Sequence, residues 1–407
     1  MKSNNYYFFI VVITMMASVS LFATDIYLPA LPDMAVYFNC RQTDIQLSFT
    51  VFLLGLAISQ LIAGMMSDQF GRKRVVVIGF MLFTLASFMC AFAASLPELI
   101  GWRLLQAIGG GVGSVTSRAL VADRYDRKES VKIFSTIFPI VGLSAAVAPV
   151  AGGYLTAFFG WRANFLFIAV FGFFILISVF LCLSDNSTTQ ATEKKGNPFF
   201  LGIQGYGEVI SNLEFLGYAF IICAGFCVFR TYSVESPFVF SGQGFAAEEM
   251  GHFFMALSCA YIAGNLLAKK FIQQMSVNAV LRIGFSVFIL GGLIMICSTW
   301  LYANSPFALI IPMSLVTMGN GLLFPVASAA AVTAVRSDCA GTAAGLMGAM
   351  QCLSAAFFSH SVGELCAGGS FPLSIFIGTI ILIGFSSYLL LIVYKPKVET
   401  SVSEDIP

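Results

Sequence analysis

Long apolar stretches alternate with short polar breaks along almost the whole chain. A helix needs about 20 predominantly apolar residues to cross a hydrocarbon layer of about 30 Å. An open strand edge is not viable in lipid, so each such stretch is predicted to be a helix. Twelve spans are predicted, at 6–30, 45–66, 75–95, 98–121, 131–157, 163–183, 214–238, 249–268, 277–300, 306–334, 341–362 and 371–394.

One break differs from the others. Residues 184–200, SDNSTTQATEKKGNPFF, are polar, basic and rich in Ser and Thr, as is typical of a linker. The pattern therefore predicts an all-α polytopic membrane protein with twelve transmembrane helices in two pseudo-symmetric six-helix bundles. The predicted parts are a first bundle at 1–184, a cytoplasmic linker at 185–212, a second bundle at 213–395 and a cytoplasmic tail at 396–407.

Composition supports a membrane protein. The 407 residues are 58% hydrophobic and only 10% charged, with a mean hydropathy of +0.89, whereas soluble domains carry roughly 25% charged residues. The net charge of +1 indicates no nucleic-acid partner. The ten cysteines show no CxxC or metal-like spacing, so they are interpreted as small membrane hydrophobes and no metal site is expected. A disulfide between Cys40 and Cys366 remains open, because both can lie outside.

Lysine and arginine predict the orientation, because loops on the cytoplasmic side carry an excess of them. With the N-terminus inside, the outer loops hold only Arg41 and Arg162. The inner segments hold Lys2, Arg72, Lys73, Arg74, Arg124, Arg127, Lys128, Lys132, Lys194, Lys195, Lys269, Lys270, Arg336, Lys395 and Lys397. Both termini are therefore predicted to be cytoplasmic.

A weak internal repeat indicates two related halves. GMMSDQFGRK begins at Gly64, after the second span, and GNLLAKKFIQ begins at Gly264, after the eighth. The second copy keeps the glycine and a basic pair but has Ala268 where the first has Asp68. Related six-helix halves are typical of transporters, which place their substrate site near the midplane between them.

These stretches resemble the major facilitator superfamily. GMMSDQFGRKR matches its loop motif G-x-x-x-D-x-x-G-R-[RK] between helices 2 and 3, through Gly64, Asp68, Gly71, Arg72 and Lys73. WRLLQAIGGGVGSVTSRALVADRY looks like the helix-4 motif, through Arg103, Gln106 and Gly109.

APVAGGYLTAFFGWR is similar to the helix-5 antiporter motif G-P-x-x-G-G of that superfamily. Pro149, Gly152 and Gly153 match it, and Ala148 replaces its first glycine. Proline and glycine at these positions predict a bend in helix 5 and close packing against a neighbour.

Five further stretches look like the Bcr/CflA branch of drug:proton antiporters: TDIYLPALP, SRALVADRY, FFGWRANF, SPFVF and AGTAAGLMGAMQ. The resemblance implies a proton-coupled secondary active transporter. No cofactor is expected, with protons as the coupling ion. It would be a monomer in the lipid of the bacterial inner membrane that exports drugs or other small molecules by alternating access. A transporter of siderophores or anionic metabolites such as polycarboxylates, in either direction, remains the alternative.

A polytopic enzyme or receptor is disfavoured. Intramembrane hydrolases need paired catalytic groups or metal clusters, and His252 and His360 are isolated in the sequence. Each is interpreted as a packed or interfacial histidine.

Asp25 is the first candidate for proton coupling. It interrupts an apolar run about 28 Å along the helix from Tyr6, at 1.5 Å per residue. An acid inside a membrane is costly and often marks a proton relay. The resemblance implies the same role, since Asp25 matches the helix-1 acid of drug:proton antiporters. The alternative is an acid at the outer interface that caps the segment before Pro29.

Arg103 is the predicted partner of Asp25, because it lies about 8 Å into helix 4 from the outer end. A buried arginine needs an acid or a substrate anion. Gln106 and Ser114 follow on the same helix face and are predicted to line the cavity. The alternative is an arginine that only ties helix 4 to a neighbour.

Arg230 interrupts the apolar helix 7 and can add a positive charge to the cavity, which would favour anionic substrates. Glu235 is about 140° away around the helix, so the two are not simple same-face partners. The alternative is an arginine that snorkels to the outer interface. Tyr27, Phe226 and Tyr232 are proposed as cavity aromatics because they neighbour these polar residues.

Charged residues at the inner end of helix 4 predict a latch. Asp123 at a helix C-terminus opposes the helix dipole and needs a basic partner, for which Arg72 is the candidate. The resemblance implies a latch that joins these two with Asp68. The full predicted set is Gly64, Asp68, Gly71, Arg72, Arg118 and Asp123. The alternative is a solvated loop that only sets the topology.

Overall fold

The structure is a computed structural model that describes residues 3–125, 127–182, 206–336, 339–366 and 369–393. Within these ranges the secondary structure is helical, without strands. In chain order the helices are α1 (Ser3–Asp25), α2 (Leu31–Tyr37), α3 (Gln42–Phe70), α4 (Arg72–Phe92), α5 (Leu96–Arg124), α6 (Arg127–Phe159), α7 (Arg162–Cys182), α8 (Leu213–Gly242), α9 (Ala247–Phe271), α10 (Val277–Leu301), α11 (Phe307–Thr333), α12 (Ala340–Cys366) and α13 (Ser370–Tyr388).

Eleven described segments are long and apolar enough to cross a membrane. Helix α5 has 29 residues and also has the length of a span. Arg103, Gln106 and a run of glycines lower its mean hydropathy, and α1, α3 and α4 pack around it. The prediction of twelve membrane helices therefore agrees with the fold, with α5 shielded from lipid by its neighbours.

The first span differs from its predicted bounds of 6–30. Helix α1 ends at Asp25, a short 3₁₀ turn follows at Leu28–Ala30, and α2 continues to Tyr37. Together they form one apolar span of 32 residues. Pro29 and Pro32 cannot donate backbone hydrogen bonds, which accounts for an interrupted rather than continuous helix. Asp25 therefore lies at a break inside a span, not at its outer end.

Helix packing repeats between the two halves. In the first bundle (α1–α7), α5 packs against α3 and α4, and α4 packs against α7. In the second bundle (α8–α13), α11 packs against α9 and α10, and α10 packs against α13. The two bundles meet mainly through α3 with α12 and through α6 with α9.

The bundles share two distinguishable ends. The basic end carries Arg72, Arg124, Lys269 and the turn at Gly71. The opposite end carries turns at Asn39, Gly160 and Gly244, each of which has a positive φ angle. Residues 185–205 of the predicted linker and residues 396–407, the predicted tail, lie outside the described residues.

Candidate functional site

A buried ion pair joins the two bundles. Asp25 lies at the break after α1 and accepts a hydrogen bond at Oδ1 from Nη1 of Arg230 on α8. The side chains are 1% and 3% exposed, respectively. Arg230 thus lies in the interior, and the snorkelling alternative is wrong. Because the partners belong to the first helix of each bundle, this contact responds to any separation of the bundles at this level.

Aromatic rings surround the Arg230 guanidinium. Its Cζ atom lies 5.0 Å from the ring centre of Phe226 and 5.5 Å from that of Phe229. The second carboxylate oxygen of Asp25 and Nε of Arg230 are buried and have no hydrogen-bond partner among the described residues. The site therefore holds a charge pair whose hydrogen-bonding capacity is only partly used.

Arg103 does not form the predicted ion pair with Asp25. Its Nη1 donates to the Ala23 carbonyl oxygen at 3.2 Å and to Gln106 Oε1 at 2.6 Å. Its guanidinium carbon lies 4.3 Å and 3.9 Å from the ring centres of Tyr27 and Phe52. The physical reason is that α8 of the other bundle supplies a cation to Asp25, while rings and neutral oxygens hold Arg103.

The predicted cavity residues fall into two groups. Tyr27, Gln106 and Phe226 lie in the layer of the two arginines, and Gln106 also donates to Ser87 Oγ on α4 at 2.8 Å. Ser114 donates to the Gly111 carbonyl of its own helix. Tyr232 packs edge-on against Phe254 within the second bundle. Neighbouring positions in the sequence thus do not imply a shared surface, because successive residues on a helix point about 100° apart.

A second polar contact between the bundles was missed by the sequence analysis. Glu235 on α8 is 0% exposed, and its Oε1 and Oε2 accept hydrogen bonds from Gln42 and Gln46 on α3, each at 2.8 Å. The only signal in the sequence for this contact was Glu235 itself, an acid within an apolar helix. Its two glutamine partners lie 189 or more positions away in the sequence and carry no charge pattern.

An exposed ion pair borders this contact at the start of α3. Arg41 Nη2 lies 2.9 Å from Asp44 Oδ1. The hydrogen bonds that the Arg41 guanidinium donates to the Asp44 carboxylate raise the pKa of Arg41 above its ordinary value.

The predicted latch residues are partly assembled at the basic end. Arg72 Nε lies 2.9 Å from Asp123 Oδ2, and Arg72 also donates to Ser67 Oγ. Arg118 donates to the Ser114 carbonyl oxygen at 3.2 Å on its own helix. The Asp68 side chain lies outside the described side chains. Two further members of the set are glycines.

Gly64 and Gly71 have different roles in the latch set. Gly71 adopts φ +90°, a conformation that side chains rarely adopt. A methyl group at Gly64 would make only ordinary contact with Val115 of α5. A glycine is thus needed for backbone geometry at the turn but not at Gly64.

The helix-5 motif packs against backbone on two sides. A methyl group at Gly152 would overlap the Ile26 carbonyl oxygen, next to Asp25. One at Gly153 would lie 2.9 Å from Glu248 Cα of the second bundle. Helix α6 is continuous through Pro149 to Phe159, and the bend expected at this motif stays a prediction. The motif therefore provides the close packing that was predicted.

The remaining sequence candidates do not form a metal or disulfide site in the described residues. Cys40 and Cys366 are free thiols, so the disulfide left open is not formed. His252 lies against Tyr154, with 3.3 Å between Nε2 and the hydroxyl oxygen, and His360 is exposed. Among the described residues, no three His, Cys, Asp or Glu side chains are grouped so that they could hold a metal ion.

Comparison with known proteins places this architecture in a family. The family model described as Major Facilitator Superfamily matches residues 13–359. The bicyclomycin resistance protein homolog of Haemophilus influenzae is 26% identical, over 91% of this chain and 92% of its own length. Multidrug resistance protein D of Escherichia coli is 27% identical, over 86% and 87%. The predicted resemblance to the superfamily and its drug-resistance branch is confirmed.

Solved structures support the same fold. The partially occluded inward-open form of the xylose transporter XylE from Escherichia coli has a TM-score of 0.76 at 14% identity, covering 97% of this chain and 98% of its own. An inward-facing bacterial homolog of the human lysosomal transporter Spinster has a TM-score of 0.68 at 15% identity, covering 96% and 97%.

These matches agree with the membrane spans, the repeated packing and the polar contacts between the bundles. The chain is a multi-pass membrane transporter that belongs to the major facilitator superfamily.

Proposed function

We propose that the protein is a proton-coupled exporter of drugs or other small molecules in the bacterial inner membrane, working by alternating access. The observation that carries the proposal is the buried pair of Asp25 and Arg230 across the two bundles. Relatives named for bicyclomycin and multidrug resistance support drugs as the class of cargo. The bias of Lys and Arg supports a cytoplasmic basic end.

The ion pair of Asp25 and Arg230 explains how the export of a substrate can require the entry of a proton. With neither a proton nor a substrate bound, ionised Asp25 attracts Arg230 and holds α1 and α8 together. Protonation of Asp25 removes that attraction, and a substrate that contacts either group competes with it. Because a buried charge is costly without its partner, the empty carrier stays in this state. Only a loaded or protonated carrier switches, which couples export to proton entry.

The partners of this transporter follow from the same proposal. Protons are the coupling ion, a small molecule is the cargo, and a single chain supplies both bundles and acts as a monomer. No nucleic acid or organic cofactor enters the cycle. The proposed domain units are the two bundles, joined by the linker and followed by the tail.

Arg103 supports a second candidate, the transport of siderophores or anionic metabolites. Its Nε and Nη2 atoms are buried and have no hydrogen-bond partner among the described residues. A carboxylate of a polycarboxylate substrate could accept from both atoms, since a guanidinium presents its donors as a fork. Arg230 supports this candidate less than the sequence analysis indicated, because its guanidinium is already paired with Asp25.

Asp25→Asn tests the proposal in proteoliposomes with an imposed pH gradient and a panel of bicyclomycin, cationic dyes, citrate and a citrate-based siderophore. The variant is expected to lose proton-driven transport of every compound that the wild type moves, while binding is retained, because the amide cannot carry the proton. Asp33→Asn, an exposed acid on α2, is the matched control and should transport normally.

Full proton-driven transport by Asp25→Asn would contradict the proton role. If the wild type transports only citrate and the citrate-based siderophore, and Arg103→Ala loses that transport, the results would support the second candidate function.

A further inference from the structure

Glu235 is a second buried carboxylate that the proposed cycle does not use. Gln42 donates to Oε1 and Gln46 donates to Oε2, each at 2.8 Å. Gln46 lies near the Val234 carbonyl as well, with 3.4 Å between nitrogen and oxygen. Both glutamines belong to the first bundle and Glu235 to the second, so the contact spans the interface.

Two contacts therefore tie α8 to the first bundle at two levels. Glu235 lies about 7.5 Å beyond Arg230 along α8, toward the opposite end, at 1.5 Å per residue. At the deeper level the acid belongs to α1, and at the outer level it belongs to α8. Separation of the bundles at the opposite end has to break both.

The outer contact fits the ionised form of Glu235. An ionised carboxylate accepts at both oxygens, whereas a protonated one carries an O–H on one of them. An O–H placed against an amide N–H donor cannot form that bond. Protonation therefore removes at least one of the two bonds and converts the other from a charge-assisted bond to an ordinary one.

Other charged or titratable groups lie on the elements that pack around this contact. On α12, the Cys366 thiol interacts electrostatically with Glu235. In the half of the molecule that contains this contact, the remaining acidic, basic and histidine residues on these elements are Asp25 at α1, Asp33 on α2, Arg41 and Asp44 at the start of α3, Arg230 on α8, Glu248, Glu249 and His252 on α9, and His360 and Glu364 on α12. Asp25 and Arg230 form their own pair, as do Arg41 and Asp44.

We propose that Glu235 is a second proton-binding site that gates the opposite end. Ionised Glu235 binds Gln42 and Gln46 and keeps the bundles closed there, and protonated Glu235 releases them. The role of this gate in export rests on the proposed function. The linkage between its proton and the bundle interface can be measured without any substrate.

The test follows the opening of the opposite end with spin labels on the purified full-length chain in lipid nanodiscs. Labels are attached to Val36→Cys on the first bundle and Tyr302→Cys on the second, positions that are 82% and 66% exposed. The exposed native thiols of Cys259 and Cys297 are first replaced by alanine. The distance distribution is recorded as a function of pH without substrate.

In the wild type, the open population is expected to grow as the pH falls, with a slope greater than one proton. In Glu235→Gln, the closed-to-open ratio at high pH should fall about tenfold, the effect of losing one hydrogen bond to a charged group. Its pH slope should fall toward one. Glu364→Gln, an exposed acid at the same end, should follow the wild-type curve.

A Glu235→Gln curve that superimposes on the wild type would overturn the proposal. If that variant does not fold, Gln46→Leu tests the gate instead, because it removes one hydrogen-bond donor to Glu235 and keeps the Glu235 carboxylate. It should lower the closed-to-open ratio at high pH, and a wild-type curve would again overturn the gate.

Asp25→Asn separates the gate from the proposed function. An unchanged curve for Asp25→Asn beside a changed one for Glu235→Gln would reject the coupling role of Asp25 and keep the gate. Loss of transport in Asp25→Asn, together with a wild-type pH curve for Glu235→Gln, would reject the gate and keep the coupling role of Asp25.

Discussion

Arg103 shows how a single residue can keep its charge inside the bundle without an acidic partner among the described side chains. It is 0% exposed, and its guanidinium lies between the rings of Tyr27 and Phe52. A desolvated cation over an aromatic face gains about 2 kcal/mol or more, against about 0.5–1 kcal/mol at an exposed site. The planar guanidinium also stacks on rings in a way that an ammonium group does not. The residue type matters here beyond its charge.

Arg103→Lys is therefore expected to lower the thermal unfolding temperature of the detergent-solubilised protein measurably. Arg162→Lys is the matched control, because Arg162 also stacks, 4.4 Å from the ring centres of Tyr37 and Trp161, but it is partly exposed at the opposite end. The control should change the unfolding temperature much less. Equal shifts for the two variants would contradict the argument from burial.

At the scale of a single element, α6 carries glycines with very different surroundings. A methyl group at Gly152 would overlap the carbonyl oxygen of Ile26, at the break that positions Asp25. Gly142 is on the same helix, and nothing lies within 4 Å of a methyl group there. The close approach of α6 to the break after α1 thus requires glycine at position 152 and does not depend on how many glycines α6 contains.

Gly152→Ala is expected to reduce the yield of folded protein and its unfolding temperature, because neither backbone can move away without shifting a whole helix. Gly142→Ala should be neutral or stabilising, since alanine favours a helix over glycine by about 0.5–1 kcal/mol. Size-exclusion profiles and thermal unfolding of the purified variants measure both effects. A Gly152→Ala protein as stable as Gly142→Ala would show that α6 does not pack this closely.

At the scale of the whole molecule, the two bundles repeat in packing but differ in the acid of the loop motif at the basic end. The first bundle has the pair of Arg72 and Asp123 there. The second has Ala268 at the position equivalent to Asp68, beside a cavity of about 510 Å³ that Lys269 also lines. The latch is therefore expected to be concentrated in the first bundle, where Arg72, Ser67 and Asp123 hold the ends of α3, α4 and α5 together.

Arg72→Gln is expected to slow substrate turnover several-fold while leaving substrate affinity largely unchanged, because the pair lies far from Asp25 and Arg230. Arg74→Gln is the matched control, since Arg74 is exposed two residues away and should transport at the wild-type rate. The measurement uses a compound identified in the proteoliposome panel. Its transport rate as a function of concentration separates the turnover rate from the substrate affinity. A selective loss of affinity in Arg72→Gln would show that the latch interpretation is wrong.

Much of the architecture could be predicted from local sequence. The spans and their number follow from apolar length, because lipid requires each segment to satisfy its own backbone hydrogen bonds. The two related halves follow from the polar linker and the repeated loop motif. The end of α1 was misplaced, since Pro29 and Pro32 interrupt the helix without ending the apolar span. Arg72 and Asp123 were also predicted to lie together, from motif spacing and the helix dipole.

The sequence by itself determined that this chain is a helical membrane protein of two related halves, with Asp25, Arg103 and Arg230 as rare charges inside it. The tertiary structure alone decided which charges meet. Asp25 pairs with Arg230 rather than Arg103, and Glu235 binds two distant glutamines. The physical reason is that spans follow from the free energy of burying one segment in lipid. Pairing depends on the rotation and depth at which helices from different bundles pack, and no local pattern contains that information.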